Sequence, residues 1–263
     1  PAIPSQETGI RHRVAERVAR QTGAMVIAIS QRRGMITLYQ GNAKYVLRDI
    51  GFVLSKANQA VQTLEKHRAL LDKSLANLSL LEFQDAVTVG DLTRVIYRLE
   101  AVRRIADEIE LYIHQLGSEG RLVKSQWADL CDGVEEEELL LIKDYYLAQG
   151  DRTPEQVAKA IHQASQDEPL DLVGIARLLG YGSNVSCLDV NVTPRGYRLM
   201  RKLPRLPIPV VENLVTAFGS FPQIMRATVE QLDAVEGIGE VRARSIKEGL
   251  SRLREQLFVD QHV

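Results

Sequence analysis

Two long runs of apolar residues spaced three and four apart limit most strongly what this chain can fold into. Val53, Leu54, Ala57, Ala60, Val61, Leu64, Leu71, Leu75 and Leu78 recur at that interval, as do Leu92, Val95, Ile96, Leu99, Val102, Ala106, Ile109 and Ile113. A period of 3.6 residues brings such positions onto one side of a helix. The sequence therefore predicts helices from residue 50 to about 78 and from about 91 to 116, with Gly117 stopping the second. Further helices are expected near 124–131, 135–148, 154–164 and 171–179, giving an all-α spine or bundle with heavily charged outer faces. A sustained coiled coil fits less well, because Lys66 and His67 interrupt the seam. The run Glu135-Glu136-Glu137-Glu138 suggests metal binding at first sight. Four consecutive carboxylates point around a helix rather than at one ion, however, and acid at a helix start suits the dipole.

The segment before residue 50 is built differently. Ile10, Val14, Ala15, Val18 and Ala19 share one helical face, with Thr8 or Gly9 as cap and Gly23 as stop. Residues 24–30 form a continuous apolar run rich in β-branched side chains, which suits a buried strand. Gln31-Arg32-Arg33-Gly34 reads as a turn, 35–39 as the return strand, and about 44–47 as a third. So small an antiparallel sheet needs more strands to cover its edges. The chain opens on Pro1-Ala2-Ile3-Pro4 without an initiator Met, and reads as a piece whose upstream portion is missing.

The helix start carries the first chemical signal. Arg11, His12 and Arg13 fall in its first turn, where the dipole is already positive and a cation costs roughly 0.3–1 kcal/mol. Two forked guanidiniums, an imidazole and free backbone N–H groups converging on one point suit a nucleotide triphosphate. Ser30, Gln31 and Arg33, at a strand end, are placed to face the same ligand. The bland alternatives are a solvated basic helix start and an exposed polar hairpin.

The second signal lies near the carboxy terminus. A Pro-rich linker is expected at 193–209, carrying Arg195, Arg198, Arg201, Lys202 and Arg205. Beyond it come short helices at about 209–218 and 223–226, then the stretch 229–236, then Gly237-Ile238-Gly239, then a helix from 240 to about 253. Glycines let a phosphate approach the backbone, and the helix start behind them offers N–H donors. Ile238 anchors the turn, while Arg242, Arg244 and Lys247 lie near enough to reach neighbouring phosphates. The alternative is a Gly-rich cap that merely turns the chain. No aromatic interleaving suggests stacking on single strands.

Composition bounds these readings. The chain has 33 basic and 34 acidic residues, so bulk charge indicates no partner. Residues 195–263 nevertheless hold 11 basic and 8 acidic side chains, against 22 and 26 in the preceding 194, the sign expected of a nucleic-acid-binding tail. Cys131 and Cys187 lie far apart in sequence and read as idle thiols in a reducing cytosol. No apolar run reaches 18 residues, so a cytoplasmic protein without a membrane partner is expected.

The segment from Gly9 through Arg17 to Ala24 resembles the Arg-His-Arg segment of diadenylate cyclases, and the tail from 209 looks like a tandem helix-hairpin-helix similar to the carboxy-terminal domain of RuvA. The order of segments along the chain is similar to the DNA-scanning branch of the cyclase family. The resemblance implies an α+β chain: a remnant of a cyclase domain at 1–49, a helical spine at 50–194 and a DNA-binding tail at 195–263. It implies condensation of two ATP into cyclic di-AMP with Mg²⁺ or Mn²⁺, a homo-octamer, preference for branched double-stranded DNA, and association with the nucleoid. Carried over by position, Arg11, His12 and Arg13 hold and orient the phosphates, with Ile10, Val14, Ser30 and Arg33 around the nucleotide. Two departures stand out. The family's metal-binding Asp-Gly-Ala occurs nowhere, Asp132-Gly133-Val134 being a poor substitute, and the Thr residues flanking Arg-His-Arg are replaced by Ile10 and Val14. These 263 residues alone are accordingly expected to be inactive. The runner-up is a non-catalytic scaffold that binds DNA structures and keeps a degenerate nucleotide pocket.

Overall fold

A computed structural model describes residues 4, 5, 7, 9–30, 35–147, 152–167 and 170–259. The chain forms two compact units, residues 1–62 with 107–128, and residues 63–106 with 129–263. Thr8, and the turn at 31–34 with Arg33, lie outside the described residues.

In the first unit, α1 (Ile10–Thr22) starts after an extended Gly9 and ends at a left-handed Gly23, whose amide reaches Ala19 O at 2.9 Å. Strands β1 (Met25–Ser30), β2 (Met35–Gln40) and β3 (Ala43–Leu47) form an antiparallel sheet in that order, Val26 opposite Tyr39 and Ser30 opposite Met35. Ala15 and Ala19 bring α1 down onto Tyr39, with Val26 and Ala28 beside them. The expected single apolar face of α1 is corrected: Ile10, Val14 and Val18 are exposed, and Glu16 is buried with Arg20 at 2.6 Å. The buried-strand reading of β1 is corrected too. Val26, Ala28 and Ser30 are half-covered, while Met25, Ile27 and Ile29 stand in solvent. An unbroken apolar run does not reveal which face of a strand is covered.

Helices α2 (Ile50–Gln84) and α3 (Val89–Leu116) match the two apolar runs. The first continues past Leu78 because its next turns bury polar groups, Ser79 and Glu82, that periodicity does not count. After them come α4 (Arg121–Cys131), α5 (Val134–Tyr145), α6 (Pro154–Asp167) and α7 (Leu172–Leu178), the last capped by Asp171, which accepts Gly174 N at 2.7 Å. Within the second unit, residues 190–192 pair with the start of α3 through Val89 N to Val190 O (2.9 Å) and Val192 N to Val87 O (2.8 Å).

The stretch expected to be a linker is part of the core. It contains α8 (Tyr197–Arg201) and buries Leu199, Met200, Leu203 and Leu206. Asp144 of α5 caps α8, accepting the amides of Gly196 (2.6 Å), Tyr197 (2.7 Å) and Arg198 (3.0 Å). Arg195 donates to the carbonyls of Lys143 (2.8 Å) and Tyr146 (2.9 Å), Arg198 is fully buried against Glu82 and Glu137, and Arg201 pairs with Glu136. Arg103 takes Glu135 and Glu138. The glutamate run thus serves four arginine contacts. The chain then forms α9 (Ile208–Phe218), α10 (Phe221–Arg226), α11 (Val229–Asp233) and α12 (Glu240–Val259) around a core that includes Leu214, Phe221, Ile224, Leu232 and Ile246.

Candidate functional site

At the start of α1 no side chain caps the helix and no acidic residue occupies the first turn. Among the described residues the amides of Ile10, Arg11 and His12 have no backbone acceptor; the first intrahelical bond is Arg13 N to Gly9 O at 2.8 Å. The three basic side chains leave the helix at successive positions about 100° apart, and each has its own surroundings. Arg11 is exposed and has no partner among the described residues. His12 Nδ1 lies 3.2 Å from the Tyr39 hydroxyl, and Arg13 Nε donates to Glu7 O at 3.2 Å. Tyr39 in turn donates to Glu7 Oε1 at 2.9 Å, and Lys44 pairs with the same oxygen. Glu7 therefore gathers His12, through Tyr39, and Arg13 on one side of the helix tip.

Sequence reading missed Glu7 and Tyr39. The available signal was Tyr39 on the covered face of β2, with a phenol that needs a partner when buried. The Lys44 ammonium, helped by the Tyr39 hydroxyl, holds Glu7 below the usual carboxylate range against the effect of partial burial. Burial, then the adjacent carboxylate, raises the Tyr39 phenol. Ser30 closes β1 on the covered face, and no hydrogen bond joins it to Arg11, His12 or Arg13 among the described residues. Ile10 and Val14 flank the tip at 80% and 54% exposure, so neither is held by packing.

In the tail, α11 begins with a reciprocal Thr228–Gln231 cap and leads into the hairpin. Gly237 adopts φ 82°, and a Cβ there would meet Val210 at 3.3 Å. Gly239 has ordinary backbone, and a Cβ would meet nothing within 4 Å. The fold therefore requires a glycine at 237 and leaves open space over 239. Ile238 is buried beneath the turn. Among the described residues no backbone acceptor is found for the amides of Gly239, Glu240, Val241 and Arg242. Arg242 folds back onto Gly237 O, covering a carbonyl that would repel an anion. Arg244 pairs with Glu240 along the exposed helix. Lys247 donates to Met225 O at 2.8 Å, tying α12 to the end of α10.

Residues 2–44 match the nucleotide-binding region of the DisA bacterial checkpoint controller, 47–188 match the linker region of that controller, and 220–249 match a helix-hairpin-helix motif. The DNA integrity scanning protein DisA of Carboxydothermus hydrogenoformans is 58% identical over 256 residues, covering 97% of this chain and 73% of that protein. Its namesake in Bacillus subtilis is 52% identical over 261 residues, covering 99% and 72%. The chain belongs to the DNA integrity scanning protein family. Within that family frame, Arg11, His12 and Arg13 lie in the nucleotide-binding match, and Gly237 to Lys247 in the hairpin match. Arg198 and Arg205 fall between the matched regions. Asp132-Gly133-Val134 turns the chain into α5, with Gly133 as its left-handed cap and Asp132 O accepting from Arg68. No described helix is long and apolar enough to cross a membrane, and no described group of His, Cys, Asp or Glu is arranged to hold a metal.

Proposed function

We propose that this chain belongs to a diadenylate cyclase that condenses two ATP into cyclic di-AMP and couples that synthesis to binding of branched double-stranded DNA. The observation that carries the nucleotide half is the uncapped, acid-free first turn of α1, with Arg11, His12 and Arg13 around amides that have no backbone acceptor among the described residues. A triphosphate neutralises what the helix alone leaves unfavourable. In the reaction each 3′-hydroxyl oxygen bonds to the α-phosphorus of the other ATP, the hydroxyl proton is lost, and pyrophosphate leaves. Arg11 and Arg13 bind and orient the phosphates, His12 braces the tip through Tyr39, and fixed positive charge stabilises the crowded oxygens. Ser30 borders the same ligand, and Arg33, outside the described residues, belongs to the same proposal.

The cyclase chemistry uses Mg²⁺ or Mn²⁺ with ATP. Among the described residues no group of three or more His, Cys, Asp or Glu side chains could hold such an ion, which would arrive with ATP and would supply charge neutralisation at its phosphates. With no Asp-Gly-Ala among them, these 263 residues bind nucleotide without turning it over. Division at residues 49 and 194, the homo-octamer and the cytoplasmic, nucleoid-associated location belong to the same proposal and rest on the family resemblance.

Calorimetric titration of the chain with ATP, with and without Arg11→Ala, tests the site, and incubation with ATP and Mg²⁺ or Mn²⁺ tests turnover. We expect ATP binding weakened severalfold by the substitution, and no cyclic dinucleotide. Binding indifferent to Arg11 refutes the site; product refutes the inactivity. A second reading, a non-catalytic DNA-structure-binding scaffold with a degenerate nucleotide pocket, is favoured by Ile10 and Val14, which offer no hydrogen bond to phosphate. Absence of any ATP binding decides for it.

A further inference from the structure

The tail contains two hairpins, and they differ in what they leave free. At the first, between α9 and α10, the Phe221 amide donates to Pro194 O at 2.9 Å and the Phe221 ring stacks edge-on against Phe83 at 5.2 Å. Gly196 packs so closely beneath it that a Cβ would meet Ile224 at 3.2 Å. Gly219 is exposed there, but the amides of Phe221, Gln223 and Ile224 that follow it all have backbone acceptors. At the second, Gly239 is open and the amides behind it have no backbone acceptor among the described residues.

Beside the second hairpin runs a groove of about 820 Å³ bordered by Arg205, Gly239, Arg242 and Arg252. Glu240 and Glu248 also border it, paired with Arg244 and with Arg252 (3.3 Å). The turn bearing Arg205 is fixed from both sides. Leu203 and Leu206 are buried, and α12 carries Gly249 where a Cβ would come within 2.9 Å of Leu203. Arg205 itself adopts φ 61°, a left-handed conformation that bulky residues rarely take. In the basic run, Arg195, Arg198, Arg201 and Lys202 each have an internal partner, whereas Arg205 has none among the described residues.

We propose that a DNA strand seated at Gly239 continues along this groove to Arg205, which takes a second backbone phosphate, and does not cross to the first hairpin. The inference rests on the DNA-binding reading of the tail and adds a contact outside the matched hairpin motif. Arg205 then acts on every sequence alike, since phosphate contacts position a duplex without reading it.

The test is fluorescence anisotropy of the full chain on a four-way junction and a linear duplex over a range of salt concentrations. The variants are Arg205→Asn, Arg205→Gly, Ser220→Glu and Gly239→Val; Asn and Gly both accommodate left-handed backbone. We expect Arg205→Asn and Arg205→Gly to weaken binding roughly threefold to tenfold on both DNAs and to make the salt slope shallower by about 0.9, one phosphate contact. Gly239→Val weakens it more, and Ser220→Glu leaves it unchanged. The proposal is overturned if both Arg205 variants keep the wild-type affinity and slope while Gly239→Val loses binding, or if Ser220→Glu weakens binding as Gly239→Val does. Failure of the wild type to bind either DNA overturns the DNA-binding reading and this inference together.

Discussion

At the scale of single residues, Gly237 and Gly239 look equivalent in sequence and are not. The first is held at positive φ against Val210, and the second has free space over it. Gly239→Val is therefore expected to leave the thermal unfolding midpoint within a degree or two and to cost DNA affinity. Gly237→Val is expected to lower stability by roughly 1–3 kcal/mol, through backbone strain, as well as affinity. Equal loss of stability in both variants, read by denaturant unfolding, contradicts that division. Ile10 and Val14 permit a converse experiment. Both are exposed, so replacing each by Thr disturbs no packing and restores a hydroxyl beside the Arg-His-Arg tip. Each hydroxyl is expected to add about 0.5–1.5 kcal/mol of ATP affinity, a few-fold by calorimetry. No gain from either places the phosphates elsewhere.

At the scale of elements, α8 shows where sequence patterning stops being legible. The long helices α2 and α3 were plain because their buried positions are apolar and periodic. Helix α8 was hidden because one of its three buried residues, Arg198, reads as a solvated charge unless Glu82 and Glu137 are known to meet it. The same blindness turned a core segment into a linker. Arg198→Ala leaves Glu82 buried with, among the described residues, only Tyr145 donating to it at 2.8 Å, and is expected to cost about 3–5 kcal/mol in urea unfolding. A loss under about 1 kcal/mol contradicts a buried pair that the fold depends on. Glu138 supplies a pH test. Burial, then the Glu100 carboxylate, pushes it up to about 8 despite Arg103. The folded chain holds that proton between the ordinary carboxylate range and about pH 8 while the unfolded chain has lost it, so this group lowers stability as pH rises through that window. Glu138→Gln has no proton to lose. The difference in melting temperature, variant minus wild type, is expected to grow in the variant's favour from pH 5.5 to 8. A constant difference argues against the raised carboxyl.

At the scale of the whole molecule, the surplus of positive charge after residue 195 was read as an electrostatic footprint for nucleic acid. Much of it is internal: Arg195, Arg198, Arg201 and Lys202 bind carbonyls, carboxylates or Ser79 of the helical region. What the proposal leaves for DNA is local, at the second hairpin and Arg205, and net charge could not have shown that. The nucleotide end was legible as a motif, but its bracing was not, because Glu7 and Tyr39 lie 32 positions apart and no pattern links them. The central claim, that the α1 tip is a triphosphate site, is tested most directly by titrating ATP into the ¹⁵N-labelled chain and following backbone amide shifts. The account predicts saturable shifts at Ile10, Arg11, His12 and Arg13, reduced in Arg11→Ala; saturable shifts confined to other parts of the chain, or none at millimolar ATP, contradict it.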